Sequence, residues 1–250
     1  MEKGKQQGAS RIRKLYIAKL IGRCIILVIS VFLCWKEAEQ FRVLNNFFEQ
    51  FSLLHILWIL WMVDMLCQLI PVKDRIALGS QKLFEQRFRP IREKINYQSL
   101  RTYITNTTKA AYKIFIIWTI LIAGLGIMYY SGMIGDIFLL MTSIVFYVCD
   151  LICVLIWCPF RLIMKNKCCT TCRIFNWDHL MMFTPLVFVD GFYARSLLLM
   201  SVTAWLVWEV SVMLYPERFW EFSNEALKCI NCTDKLCTQY CQKLRKSKKV

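Results

Sequence analysis

Four cysteines fall within thirteen residues near the C-terminus, Cys229-Ile-Asn-Cys232-Thr-Asp-Lys-Leu-Cys237-Thr-Gln-Tyr-Cys241, with the spacing C-x2-C-x4-C-x3-C. A C-x2-C pair lets two thiolates grip one ion from a tight turn. Two more thiolates close a tetrahedral shell at Zn–S distances of about 2.3 Å. The spacing departs from the bacterial ferredoxin run, which has two-residue gaps and a proline after its last cysteine, but an iron–sulfur cluster also takes four thiolates. The tail therefore predicts a zinc ion or an iron–sulfur cluster. A second, less regular group comprises Cys158, Cys168, Cys169 and Cys172. Two arrangements are open: each group forms its own site, or Cys169/Cys172 and Cys229/Cys232 join as one two-knuckle site. His179 is a candidate fourth ligand of the loop group, or a simple hydrogen-bonding residue. Cys24, Cys34, Cys67, Cys149 and Cys153 lie in apolar runs and read as packing residues, because unpaired cysteine is among the most often buried residue types.

The second chemical feature is a set of ionisable residues inside apolar stretches. Asp64, Asp150 and Glu209 stand six to eight residues before the ends of theirs. If those stretches cross a membrane, the carboxylates sit ~9–12 Å inside it at ~1.5 Å rise per residue. Arg23, with Lys19 one turn away, reaches a comparable depth from the first stretch. Such groups are costly in lipid and face a bundle interior. They predict either a buried charged layer that fixes helix packing or a proton or cation pathway lined by the three carboxylates. No nucleophile motif, phosphate-binding glycine loop or paired metal histidines occur, so no residue nominates itself as a catalyst and enzymatic activity stays open. Gly124 and Gly126 read as positions of close helix packing.

The elements that must position these groups follow from composition. The 250 residues are 57% hydrophobic with mean hydropathy +0.43, yet carry 32 Lys+Arg against 17 Asp+Glu. That combination predicts a membrane protein with basic loops. A nucleic-acid partner is not expected, because long apolar runs interrupt the basic residues. Six candidate spans run over about Leu15–Trp35, Phe51–Ile70, Ile114–Tyr130, Ile137–Cys158, Trp177–Tyr193 and Ser196–Tyr215. A helix needs about 20 residues to cross the ~30 Å hydrocarbon core. Counting the N-terminal stretch up to Arg23, which takes in Lys19 and Arg23 at the near end of the first span, 29 of the 32 basic residues fall on one side, which the positive-inside rule makes cytoplasmic. The first span lacks a small-residue cleavage site and reads as an uncleaved helix. The expected fold is all-α: a polytopic membrane protein of about six transmembrane helices in three hairpins, in the bacterial cytoplasmic membrane with both termini cytoplasmic. Residues 1–215 form the bundle, with a basic loop at 72–113 and a cysteine-rich loop at 158–176, and 216–250 form a cytosolic tail. Both cysteine groups then face a reducing compartment, where structural disulfides are rare and dense thiols point to metal or redox chemistry.

A faint repeat accompanies the hairpins. Asp64-Met-Leu-Cys-Gln-Leu-Ile70 and Asp150-Leu-Ile-Cys-Val-Leu-Ile156 share four identities, and Pro71, Pro159 and Pro216 are each followed two positions on by Lys73, Arg161 or Arg218. In the basic loop, Leu83, Phe84, Phe88 and Ile91 among Lys82, Arg87, Arg89 and Arg92 predict an amphipathic helix on the inner leaflet, broken near Pro90. Anionic inner-leaflet lipids are the partners such a surface implies, and the lysine-rich end adds to it. The segment Cys168-Cys-Thr-Thr-Cys-Arg-Ile-Phe-Asn-Trp-Asp-His-Leu-Met-Met-Phe-Thr-Pro185, with Pro216-Glu-Arg-Phe-Trp220 and the cysteine tail, resembles uncharacterised polytopic membrane proteins of anaerobic bacteria. That resemblance covers roughly the last third of the chain and implies no assigned activity. The functional expectation is a cytosolic cysteine-ligated metal module on a membrane bundle, in a structural, redox-sensing or partner-docking role. Two alternatives stand beside it: electron transfer through an iron–sulfur cluster, and a small proton- or cation-coupled transporter.

Overall fold

Apolar stretches of this length cannot leave backbone polar groups unpaired in lipid, so the chain satisfies them internally as helix. The structure, a computed structural model, describes residues 11–36, 38–49, 51–72, 75–92, 94–166 and 168–236. Among these residues it is all-helical, with one isolated bridge between Pro90 and Asn224 as the sole extended pairing. Four helices are long and apolar enough to cross a membrane: α1 (Arg11–Lys36), α4 (Tyr97–Tyr130), α5 (Asp136–Leu155) and α8 (Phe192–Leu214). A fifth apolar helix, α2 (Leu53–Leu69), is shorter. Short helices α3 (Leu78–Gln81), α6 (Phe160–Met164) and α7 (Asp178–Phe183) lie in the connections.

Each long helix turns apolar side chains outward. Ile21, Ile25, Val28 and Phe32 on α1 and Ile116, Ile120 and Ile127 on α4 are exposed, a surface that in water would aggregate and in lipid is solvated. α1 packs on α5 and α2 on α8. The main core fills the space between them with Trp61, Met65, Leu140, Ile144, Phe183 and Leu197. The start of α2 is fixed by a capping box. The Ser52 side chain accepts from Leu54 N–H, and His55 Nδ1 accepts from Ser52 N–H at 3.0 Å. That leaves Nε2 to donate to the Phe47 carbonyl at 2.8 Å. His55 is therefore an end-cap.

The segment Trp177–Tyr193 is not one continuous helix: α7 is followed by a 3-10 helix, Thr184–Phe188, with Pro185 near its start. Proline has no N–H to extend the ladder. The irregular backbone is tolerated because Met182, Phe183 and Leu186 are buried among α4, α5 and α8. At one end Trp177 Nε1 donates to Glu209, and at the other Gly191 lies against the Leu44 backbone. Those ends are separated by about 26 Å of α8 at ~1.5 Å per residue.

The amphipathic helix expected over Leu83–Ile91 does not form. The segment contains α3, a 3-10 turn Glu85–Arg87 and extended residues, and Leu83 and Lys82 point into the protein. Their positions are set by the tail. Glu225 N–H donates to Arg89 O at 2.7 Å, Ile91 N–H to Ser223 O at 3.3 Å, Arg218 to Leu83 O at 2.8 Å, and Leu78 N–H to Asp234 at 2.6 Å. With Pro90 denying a further donor, these tertiary bonds outweigh helical periodicity. The described part of the tail is thus stitched to the basic loop.

Candidate functional site

The carboxylates of α2 and α5 meet at one arginine. Arg23, on α1 and 5% exposed, donates from Nη2 to Asp64 Oδ2 at 3.1 Å and from Nη1 to Asp150 Oδ2 at 2.6 Å. Nη1 also donates to the Tyr147 carbonyl at 2.6 Å, and the guanidinium lies 3.8 Å from the Tyr147 ring centre. Lys19, one helical turn earlier, adds Nζ to Asp64 Oδ1 at 3.1 Å. A planar fork suits this task because it holds two carboxylates from different helices at once. Glu209, expected in the same layer, is held elsewhere. Arg173 grips both its oxygens, at 2.7 Å and 2.5 Å, and Trp177 donates at 2.8 Å.

His179 joins this layer and not the thiol loop. It is 3% exposed, with Nε2 3.7 Å from Asp64 Oδ2 and Nδ1 3.3 Å from Asp178 Oδ1. Gln68 donates to Asp178 Oδ2 at 2.9 Å. Among the described residues, both His179 ring nitrogens, Arg23 Nε, Gln68 Oε1 and Asp178 Oδ1 have no hydrogen-bond partner. A cavity of about 30 Å³ opens beside Arg23, Asp64, Asp150 and Asp178, room enough for a bridging water. Two fixed cations stand against three carboxylates here, so one proton on His179 makes the layer neutral.

The thiols border a larger space that shares the Asp150 and Asp178 wall. This cavity, of about 270 Å³, is lined by Cys149, Cys153, Cys158, Cys168, Cys169 and Cys172. Sequence reasoning put Cys149 and Cys153 aside as packing residues. Their spacing, continued by Cys158, is the signal that places all three along one side of α5 and its exit.

The two C-x2-C pairs are built alike. Cys169 opens a 3-10 turn whose closing N–H, on Cys172, donates to Cys169 O at 2.9 Å. Cys229 opens another, with Cys232 N–H donating to Cys229 O at 3.4 Å. In each, backbone N–H groups just downstream aim at the second sulfur: Ile174 at Cys172, Asp234 and Lys235 at Cys232. Lys235 adopts φ +51 to make that turn. Burial pushes both of these thiols above the ordinary range, and the N–H donors pull them back. Cys172 has Lys82 and Cys158 as electrostatic neighbours, whereas Cys232 has Asp234 and Cys229. Cys237 and Cys241 lie outside the described residues. Among the described residues, no group of three or more His, Cys, Asp or Glu side chains converges as a metal shell.

Sequence reasoning also missed Lys82. Its side chain is fully buried, donating to the carbonyls of Thr170 at 3.0 Å and Cys172 at 2.8 Å, over the rings of Trp208 and Phe219. Burial, helped by Arg173, brings this amine down to about 7, against the pull of Cys172 and Cys168. A neutral amine still has two N–H groups for the two carbonyls. Nothing in the sequence marks this lysine apart from its basic neighbours. Comparison with protein-family models, with curated proteins and with solved structures finds no match for this chain.

Proposed function

We propose that this chain is an integral protein of the bacterial cytoplasmic membrane that carries a cytosolic, cysteine-ligated metal module with a structural, redox-sensing or partner-docking role. In this reading α2 and the broken 177–190 segment complete six crossings in three hairpins, and both termini are cytoplasmic. The segregation of 29 of 32 basic residues supports that orientation. Basic residues at that end favour anionic lipid or a cytosolic protein partner.

The observation that carries the metal reading is the shared turn of the two C-x2-C pairs, each with N–H groups aimed at its second sulfur. Those N–H groups offset part of the burial that otherwise keeps each thiol neutral, and each turn presents two sulfurs. Cys229, Cys232, Cys237 and Cys241 supply a full set of four. Zinc is favoured, and an iron–sulfur cluster is the other occupant four thiolates admit; a soft sulfur shell disfavours magnesium and calcium. The two pairs have different neighbours, which supports separate sites over a shared one.

Visible absorbance and elemental analysis of anaerobically purified protein test this. Colourless protein with stoichiometric zinc is expected, whereas brown protein with iron and sulfide points to electron transfer. Replacing Cys229 or Cys232 by Ser should release the metal, and Cys24→Ser should retain it. Stoichiometric metal retained after losing both Cys229 and Cys232 would contradict the module. The layer around Arg23 supports a second reading, proton-coupled transport, because buried His179 stands between two carboxylates, 3.7 Å from Asp64 and 3.3 Å from Asp178. Loss of a pH-gradient-driven flux in Asp150→Asn with normal folded yield would favour it.

A further inference from the structure

We infer that the cavity against α5 is a binding site for a soft monovalent cation, of the copper(I) and silver(I) class, held in two-coordinate fashion between Cys153 and Cys158. This site uses other residues than the tail module and stands without it. Both thiols line this cavity, one on each side of the bend where α5 ends, and each lies close enough to perturb the other. The backbone turns at Cys158, whose carbonyl accepts from Arg161 N–H at 3.3 Å.

The lining fits the ion. Sulfur comes from the six cysteines and from Met181 and Met182 opposite them, and most of the remaining wall is aromatic or aliphatic. Thiolate and thioether donors select soft cations, copper(I) among them. Zinc takes four ligands, and no trio of donors converges among the described residues. A digonal monovalent ion needs only two.

Binding exchanges protons for the ion. Both S–H bonds ionise, two M–S bonds form, two protons leave to solvent, and the bis-thiolate complex carries one negative charge. No electron is transferred. Arg161 lines the cavity beside Cys158 and offsets that charge. Cys149 lies one turn further into α5 and Cys172 on the opposite loop, so neighbouring sulfurs are in place to take the ion onward by ligand exchange.

The test is anaerobic titration of the reduced, full-length protein with copper(I) against a competing chelator, read also by quenching of Trp118, which lines the cavity. One copper(I) per chain is expected at this site, with affinity falling more than about tenfold in Cys153→Ser and in Cys158→Ser. Because the tail thiolates are soft donors too, the same titration is repeated in a Cys229→Ser/Cys232→Ser background, where zinc should be lost and one copper(I) that depends on Cys153 and Cys158 should remain, which separates this site from the tail module. Copper(I) affinity unchanged in the Cys153→Ser/Cys158→Ser double variant would overturn the proposal. Should those variants misfold, the unaltered protein decides: silver(I) should protect Cys153 and Cys158 from maleimide, mapped by peptide analysis. Full alkylation of both with silver(I) present would equally overturn it.

Discussion

An amine with no exposed surface, as at Lys82, makes the thiol loop sensitive to pH. An unfolded lysine keeps its proton to about pH 10.4, whereas burial brings Lys82 down to about 7 in the folded chain. Between those values the unfolded state binds the additional proton, so the stability arising from this group rises with pH across that window and is flat below it. The thermal midpoint of the unaltered protein should therefore rise relative to that of Lys82→Met between about pH 7 and 8.5, below the ordinary thiol range. Parallel profiles would contradict the burial argument. At Arg23, removing the guanidinium leaves Asp64 and Asp150 without their shared partner. Arg23→Met should cost on the order of 3–5 kcal/mol, and adding Asp150→Asn should recover part of it, because a buried charge left unpaired costs more than the absence of both. Folded yields of the single and double variants measure this, and additive losses would count against the pairing.

At the scale of elements, α1, α2, α5 and α8 were legible in the sequence, since long apolar runs leave the backbone no other choice. The meeting of Asp64 and Asp150 was legible too, from their matched places in two similar runs. What was not legible depended on contacts between distant segments. Leu83 and Phe88 had helical spacing, but the Arg89–Glu225 and Leu83–Arg218 bonds draw that segment into a cap. The capacity of α7 and its 3-10 continuation to run broken through the bundle depends on burial that a hydropathy window does not register. Glu209 could not be assigned to Arg173 while the cysteine loop had no position. Glycines test these placements. Gly191 has φ +125, and a Cβ there would lie 2.1 Å from Leu44 O. Gly191→Ala should sharply lower folded yield. Gly124→Ala, where nothing lies within 4 Å of the added carbon, should be tolerated or gain about 0.5–1 kcal/mol from helix preference. Equal yields for the two would show that the 177–191 segment does not pack as described.

For the whole molecule, the charge layer, the thiol cavity and both C-x2-C turns gather at the end of the bundle whose loops hold most of the lysine and arginine. Their chemistry depends on which compartment that end faces. In a reducing cytosol these thiols stay free to act as ligands, whereas outside they would become disulfides by default. The most direct measurement is the location of reporters fused after Val250 and within the Ser131–Gly135 turn. The account predicts a cytoplasmic reporter at Val250 and an external one in the turn. An external reporter at Val250 would place the cysteines in an oxidising compartment and contradict the metal module together with its orientation.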